Sequence, residues 1–152
     1  VTDELHYLAE AIRYASRHSH DSHTKVGAVI ATGRRLVYGT NFMPSLVTGE
    51  KHDIMEHAER AAIYKAAACG VPTAGATMYA PWFACPDCAR AIISSGIKEV
   101  VGLLSLRNAT PERWSSRLEL AYVMLDAAHV KMRFLTESVG ESILFNGETI
   151  RC

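Results

Sequence analysis

The residues with chemical potential lie in two short runs. One is His57-Ala58-Glu59; the other, after an interval of 25 residues, is Cys85-Pro86-Asp87-Cys88. One His and two Cys supply three ligands for tetrahedral zinc and leave the fourth position to water, the arrangement of a catalytic site. Zinc so held lowers the pKa of its water to about 7. Glu59, two residues beyond His57, is poorly spaced to ligate the same ion but well spaced to reach that water as a proton shuttle. Each run opens a predicted helix. The two helix N-termini are therefore expected to converge on one point, where their partial positive ends favour thiolates.

Taken singly, neither run is distinctive. A His near a helix start is usually structural or solvated, and a CxxC has several uses. The pair, each member heading a helix, is what points to a metal site. A thioredoxin-like dithiol is the rival from another class, because Trp82 precedes Cys85-Pro86-Asp87-Cys88 after a predicted strand. That reading explains neither His57 nor Glu59, and its facing Pro loop would have to come from Pro111, the only later proline. A structural zinc module needs a fourth ligand, and neither His52 nor Cys69 sits at a ligand spacing. His18, His20, Asp21 and His23 form a second polar cluster. Its spacing fits neither a helix face nor a strand face, so a solvated loop is expected.

The positioning elements follow from periodicity and breakers. Residues 4–16 carry Leu5, Leu8, Ala9, Ile12 and Ala15 at helical spacing, with Thr2 or Asp3 as a cap. Residues 25–31 and 36–42 read as two strands about a turn at Thr32-Gly33. A loop is expected over 43–53 and an Ala-rich helix over 54–69, closed by Gly70. A strand over 76–80 leads to the helix over 86–95, with Pro86 at its start. A strand over 98–104, a helix over 111–128 and a strand over 130–135 follow. Trp114, Leu118, Ala121, Val123, Met124 and Leu125 are the apolar positions of that last helix. Asn146-Gly147 marks a terminal hairpin at about 142–151. The order predicts an α/β fold, a three-layer α/β/α sandwich on a five-stranded mixed sheet. Its last two core strands are parallel, because a helical crossover returns the chain to the same end.

Composition narrows the class. The 152 residues fit one domain, are 49% apolar and 21% charged, and hold no stretch long enough to span a membrane. The polar start, Val1-Thr2-Asp3-Glu4, is unlike a signal peptide. The missing initiator Met leads one to expect processing or trimming. Sixteen basic residues balance sixteen acidic ones. A polynucleotide partner usually requires a basic excess, so a small substrate is expected. The four cysteines are too few for a disulfide scaffold and suit a reducing cytoplasm.

With these residues in view, the chain resembles the zinc-dependent cytidine and deoxycytidylate deaminases. The likeness extends from His57-x-Glu59 and Cys85-x-x-Cys88 to residues 21–30 (DSHTKVGAVI), Gly39-Thr40-Asn41, residues 56–63, and residues 76–101 (ATMYAPWFACPDCARAIISSGIKEVV). It covers residues 4 to about 135, with the hairpin outside, and is greatest to the deoxycytidylate branch. Two positions depart from the pattern: Ala84 stands where Pro usually precedes the first Cys, and Ala61 where Asn is frequent.

The resemblance implies a cytidine-deaminase-like fold and hydrolytic deamination of a cytosine nucleotide, dCMP to dUMP plus ammonia. His57, Cys85 and Cys88 would hold zinc, and Glu59 would shuttle protons. Ala58 would offer its N–H to the base carbonyl, and Asn41 would bind the sugar. Trp82, Phe83 and Trp114 are candidates for the base pocket. Lys25, Lys51, Arg60 and the first-loop histidines are candidates for phosphate. A cytoplasmic homo-oligomer is also implied. The alternatives within the chemistry are a transfer-RNA adenosine, guanine or nucleoside cytidine deaminase.

Overall fold

The computed structural model describes residues 3–45 and 48–152. Thr2, one of the two proposed caps, lies outside them, as do Leu46 and Val47 of the expected loop. Helix α1 (Asp3–His18) buries Leu8, Ala9, Ala11, Ile12 and Ala15 along one stripe. Asp3 is its first residue and not its cap. Strands β1 (Gly27–Thr32) and β2 (Arg35–Thr40) pair antiparallel about Gly33, whose φ of 56° a glycine adopts without cost. The chain continues through α2 (Lys51–Ile54), α3 (Ala58–Ala68), β3 (Thr77–Tyr79), α4 (Pro86–Ser94) and β4 (Glu99–Leu103). It then runs through α5 (Leu104–Asn108), α6 (Glu112–Ala127), β5 (Lys131–Leu135), and the hairpin β6 (Ser142–Phe145) and β7 (Glu148–Arg151).

The main sheet has the order β2-β1-β3-β4-β5, and the hairpin is a separate two-stranded sheet. β1 is antiparallel to both β2 and β3, while β3–β4 and β4–β5 are parallel. The sheet is thus mixed and five-stranded, and its last two strands are parallel as expected. Strand alternation divides two cores. Ala28, Ile30, Met78 and Val100 pack toward α3, α4 and α6. Val29, Tyr79 and Val101 pack with Leu8 and Ile12 of α1, Leu106 of α5, and Ile143 and Cys152 of the hairpin segment. Helices on one face, sheet, and α1 with the hairpin on the other make three layers.

Four expectations need correction. The helix expected over 54–69 begins at Ala58, because Met55 and His57 are extended and Glu56 pairs with Phe42 in an antiparallel bridge. Residues 51–54 form the separate turn of α2 inside the expected loop. Leu104 ends the strand expected over 98–104 and starts α5, which periodicity missed: Leu106 is the one fully buried side chain of that short segment. On α6 the buried face is Ala121, Tyr122 and Leu125, whereas Val123 is 64% exposed.

The topology brings distant segments to one end of the sheet. Gly27 pairs with Thr40 and Val29 with Tyr79, so the start of β1 and the ends of β2 and β3 lie together. Asn41, Val26 and the 80–85 loop are therefore neighbours. Gly39 lets α3 rest on this end: a Cβ there would lie 2.3 Å from the Ala58 carbonyl oxygen and 2.4 Å from the Ala62 nitrogen.

Candidate metal centre and pocket

His57 is the N-cap residue of α3 and Cys85 that of α4, so both runs head helices as expected. Pro86 follows at the first helical position, and the Cys88 N–H donates to Cys85 Sγ at 3.4 Å. This closes the Cys-x-x-Cys turn and places both sulfurs on the same side. His57 Nδ1 lies 3.5 Å from Cys85 Sγ and 3.6 Å from Cys88 Sγ. Ligands at zinc's usual bond lengths, about 2.0–2.1 Å to nitrogen and 2.3 Å to sulfur, are about 3.6 Å apart across a tetrahedral angle. Both His–Cys distances therefore fit a shared zinc ion, and all three ligand atoms lie within 4.8 Å of one another. Among the described residues, these three form the only His, Cys and carboxylate group spaced for a metal.

Glu59 is 5% exposed, in the first turn of α3, and accepts from the Cys88 thiol at 3.4 Å through Oε2. Burial raises its carboxyl pKa above the ordinary range, opposed by the nearby His57. The Cys88 thiol and amide, with His57, pull Cys85 well below a free thiol, against the effect of burial. The Cys85 sulfur in turn raises Cys88, and burial adds to that rise.

The two ligand segments are tied from behind. The Glu56 carboxylate accepts the His57 N–H at 3.0 Å and pairs with Arg60. The Arg60 guanidinium also lies 3.8 Å from Asp87, between the two cysteines. Arg60, a phosphate candidate from sequence, is spent on this bridge and does not line the pocket. Lys25 is also diverted, its ammonium donating to the Ser16 carbonyl. The first-loop histidines do not line the pocket either. His20 accepts the Met43 N–H, and His23 shares a hydrogen bond with Ser22.

A cavity of about 230 Å³ opens above the cluster. Glu59, His57 and Cys85 form its floor. Trp82, Phe83 and Trp114 line it, as expected, and Trp82 is held by its indole N–H donating to Thr110 at 3.0 Å. Asp21, Thr24, Lys51 and His52 supply polar lining. The loop expected to be solvated thus carries a buried carboxylate. Burial raises the Asp21 pKa, but Lys51 and the N–H groups of His23 and Thr24 outweigh it and hold it below the ordinary value.

Asn41 also lines the cavity, but its amide is largely committed. Oδ1 accepts from Ser19 at 2.7 Å and from the Val26 N–H at 3.1 Å, and Nδ2 donates to the Thr24 carbonyl at 2.6 Å. One Nδ2 hydrogen is left for other use. Phe145 and Asn146 of the hairpin complete the wall. Sequence reasoning found the hairpin but not this placement. The only signal was an aromatic residue beside the Asn-Gly turn.

The model of the cytidine and deoxycytidylate deaminase zinc-binding region matches residues 1–104. The chain belongs to that family. Zinc is accordingly the cofactor of this deaminase-family domain, and a dithiol redox reading falls away. Among curated relatives, deoxycytidylate deaminases of enterobacteria phages T2 and T4 are each 56% identical to it over 45 residues, 30% of this chain. The chain spans about a quarter of the length of those relatives, 24% and 23% respectively. Among solved structures, the dCMP deaminase of cyanophage S-TIM5 in apo form shares the fold with a TM-score of 0.69. It is 21% identical, with 88% of this chain and 97% of that one covered. A deaminase/reductase of Thermotoga maritima shares the fold at a TM-score of 0.65 and 23% identity, with 86% and 36% covered. No described helix is long and apolar enough to cross a membrane.

Proposed function

We propose that this chain catalyses hydrolytic deamination of a cytosine nucleotide, dCMP to dUMP plus ammonia. The observation that carries the reading is the His57–Cys85–Cys88 donor set at tetrahedral spacing with buried Glu59 against it, at the floor of a cavity lined by both aromatic and polar residues. The phage deoxycytidylate deaminases support the choice of substrate, as does the balance of charge, which gives a polynucleotide little to bind.

His57, Cys85 and Cys88 are assigned as the zinc ligands. Zinc bound there supplies Lewis-acid activation of water, lowering its pKa to about 7. The chain's own residues do the rest. Glu59 takes a proton from the attacking water and delivers it to ring N3. The water oxygen bonds to C4 as N3 is protonated; Glu59 then passes the remaining hydroxyl proton to the amine, so that the C4–N bond breaks as C4–O becomes a carbonyl and ammonia leaves. Ala58 heads α3, and its N–H is among the first-turn donors that a helix leaves free; it is assigned to the base carbonyl. The remaining Nδ2 hydrogen of Asn41 is assigned to the sugar, and Lys51 with His52 to the phosphate. The aromatic residues hold the base and exclude water.

The reading includes a cytoplasmic homo-oligomer. Four free thiols support the compartment, and exposed Tyr64, Leu120 and Val123 on the outer helices support association. A panel of cytosine, adenine and guanine nucleosides and nucleotides, scored for ammonia release, tests the reaction. The dCMP monophosphate is expected to exceed deoxycytidine in kcat/KM by on the order of tenfold to several hundredfold, the worth of one charge-assisted contact. Equal turnover of the two, or ammonia only from a purine, overturns the assignment.

A further inference from the structure

The C-terminal hairpin lies outside the matched family region, which ends at residue 104, yet it reaches the cavity. It is docked at both ends. At its turn, Lys25 donates its N–H to the Leu144 carbonyl at 2.8 Å, Gly147 to the His23 carbonyl at 2.8 Å, and Asn146 to Thr24 Oγ1 at 3.1 Å. At its base, Glu141 pairs with Arg13 of α1 and Ile143 is buried in the core. Asn146 and Gly147 adopt φ of 51° and 81°, the left-handed pair of a tight hairpin turn. The register therefore leaves little freedom at Phe145.

Strand alternation puts Ile143 and Phe145 on the same face. Ile143 ends in the core, 2% exposed. Phe145, two residues on, passes the edge of that core. It meets Trp82 with ring centroids 4.3 Å apart at 42°, and lines the cavity. Trp82 is in turn fixed by Thr110. A half-buried aromatic held on a rigid element, with a second ring beside it and open cavity before it, is a built surface for a flat or ring-shaped ligand.

We propose that Phe145 is a substrate-binding residue, and that the hairpin presents it to pack against the nucleoside part of the ligand beside Trp82. This rests on the nucleotide reading above and deepens it. The contact is made in ground state and transition state alike, so it governs binding more than chemistry.

The test is Phe145→Ala, with Phe145→Tyr as the conservative partner, on the full zinc-loaded chain and on whichever panel compound the wild type turns over. Phe145→Ala is expected to raise KM on the order of tenfold, the worth of one packed ring face. It should leave kcat within about threefold, as loss of uniform binding does, with zinc content unchanged. Phe145→Tyr should restore KM. An unchanged KM in Phe145→Ala overturns the proposal, as does a loss confined to kcat or to zinc content. A second measurement covers a variant that fails to fold. Wild-type protein carrying isotopically labelled phenylalanine is titrated with dUMP and with the panel's monophosphates, and the Phe145 ring resonance is followed. A saturable shift supports the contact, and no shift with any of them overturns it. Turnover of a purine alone would remove the cytosine assignment while leaving the hairpin to be decided on that purine.

Discussion

The floor and the rim of the pocket are built in opposite ways. The floor comes from two helix starts, His57 to Glu59 and Cys85 to Cys88, each fixed by its own local turn and bridged by Glu56, Arg60 and Asp87. The rim comes from the first loop, α2, the segment before α6, and the hairpin, which meet only through tertiary contacts. Local geometry places reactive atoms to within a bond length, whereas the rim is held by hydrogen bonds that can be lost one at a time. Changes to the floor should therefore act on the metal and on chemistry, and changes to the rim on binding and stability.

The largest expected effect is on the floor. Cys88→Ser should abolish stable zinc retention, read as metal per chain after dialysis, and lower the thermal midpoint, because binding of the ion is coupled to folding of its loop. Full zinc occupancy in this variant would undo the ligand assignment. Next is Glu59→Gln, which keeps volume and zinc but removes the proton carrier. Its kcat should fall by at least the order of 10²–10⁴ found for single acid–base groups, with KM little changed. A kcat within tenfold of wild type would take Glu59 out of the chemistry.

Asn41→Ala sharpens the comparison from the rim. The Val26 N–H and Thr24 carbonyl lose their partner, at about 1–3 kcal/mol for each group left buried and unsatisfied. For a chain of this length, each kcal/mol lowers the thermal midpoint by about 2–4 °C. Zinc content should hold while kcat/KM falls. A parallel loss of zinc would mean that floor and rim are one unit.

The smallest expected effect on stability is at the Asp21–Lys51 pair, apart from the loss of phosphate binding that removing Lys51 should bring. The folded-state pKa of Asp21 is held below its ordinary value of about 3.9. Its contribution to stability is thus complete above that value and is lost as pH falls through the lower, folded one. Lys51→Met should cost about 1 kcal/mol or less at neutral pH, because Lys51 is half-exposed and screened. It should also move the acid limb of a urea-midpoint profile to higher pH. An unmoved limb would show that the pair holds nothing.

This division also explains what could be read without coordinates. His57, Glu59, Cys85 and Cys88 are legible because cap positions and short spacings are local properties. The parallel β4–β5 pair was legible because a helical crossover leaves one choice of direction. Lys51 stood among the phosphate candidates, but its pairing with Asp21 and the arrival of Phe145 were not legible, because their meeting depends on which ends of β1, β2 and β3 lie together. Arg60 and Lys25 carried the right charge for phosphate, but where a long side chain finds its partner is decided by packing. Asn41 lines the cavity, yet its amide holds the loop together first. The short α5 escaped because five residues give too little periodicity.

The hairpin's docking onto residues 23–25 has a consequence for the order of events during biosynthesis. By the time Cys88 has left the ribosome, every residue of the metal floor exists, and an ion can be captured by the emerging domain. Phe145 follows only after several seconds at about 5–20 residues per second. Until then, the nascent chain would carry a charged metal centre with one side of its mouth open. If the hairpin binds substrate as proposed, cofactor acquisition precedes substrate discrimination, and a chain truncated before residue 142 is expected to bind ligands less selectively.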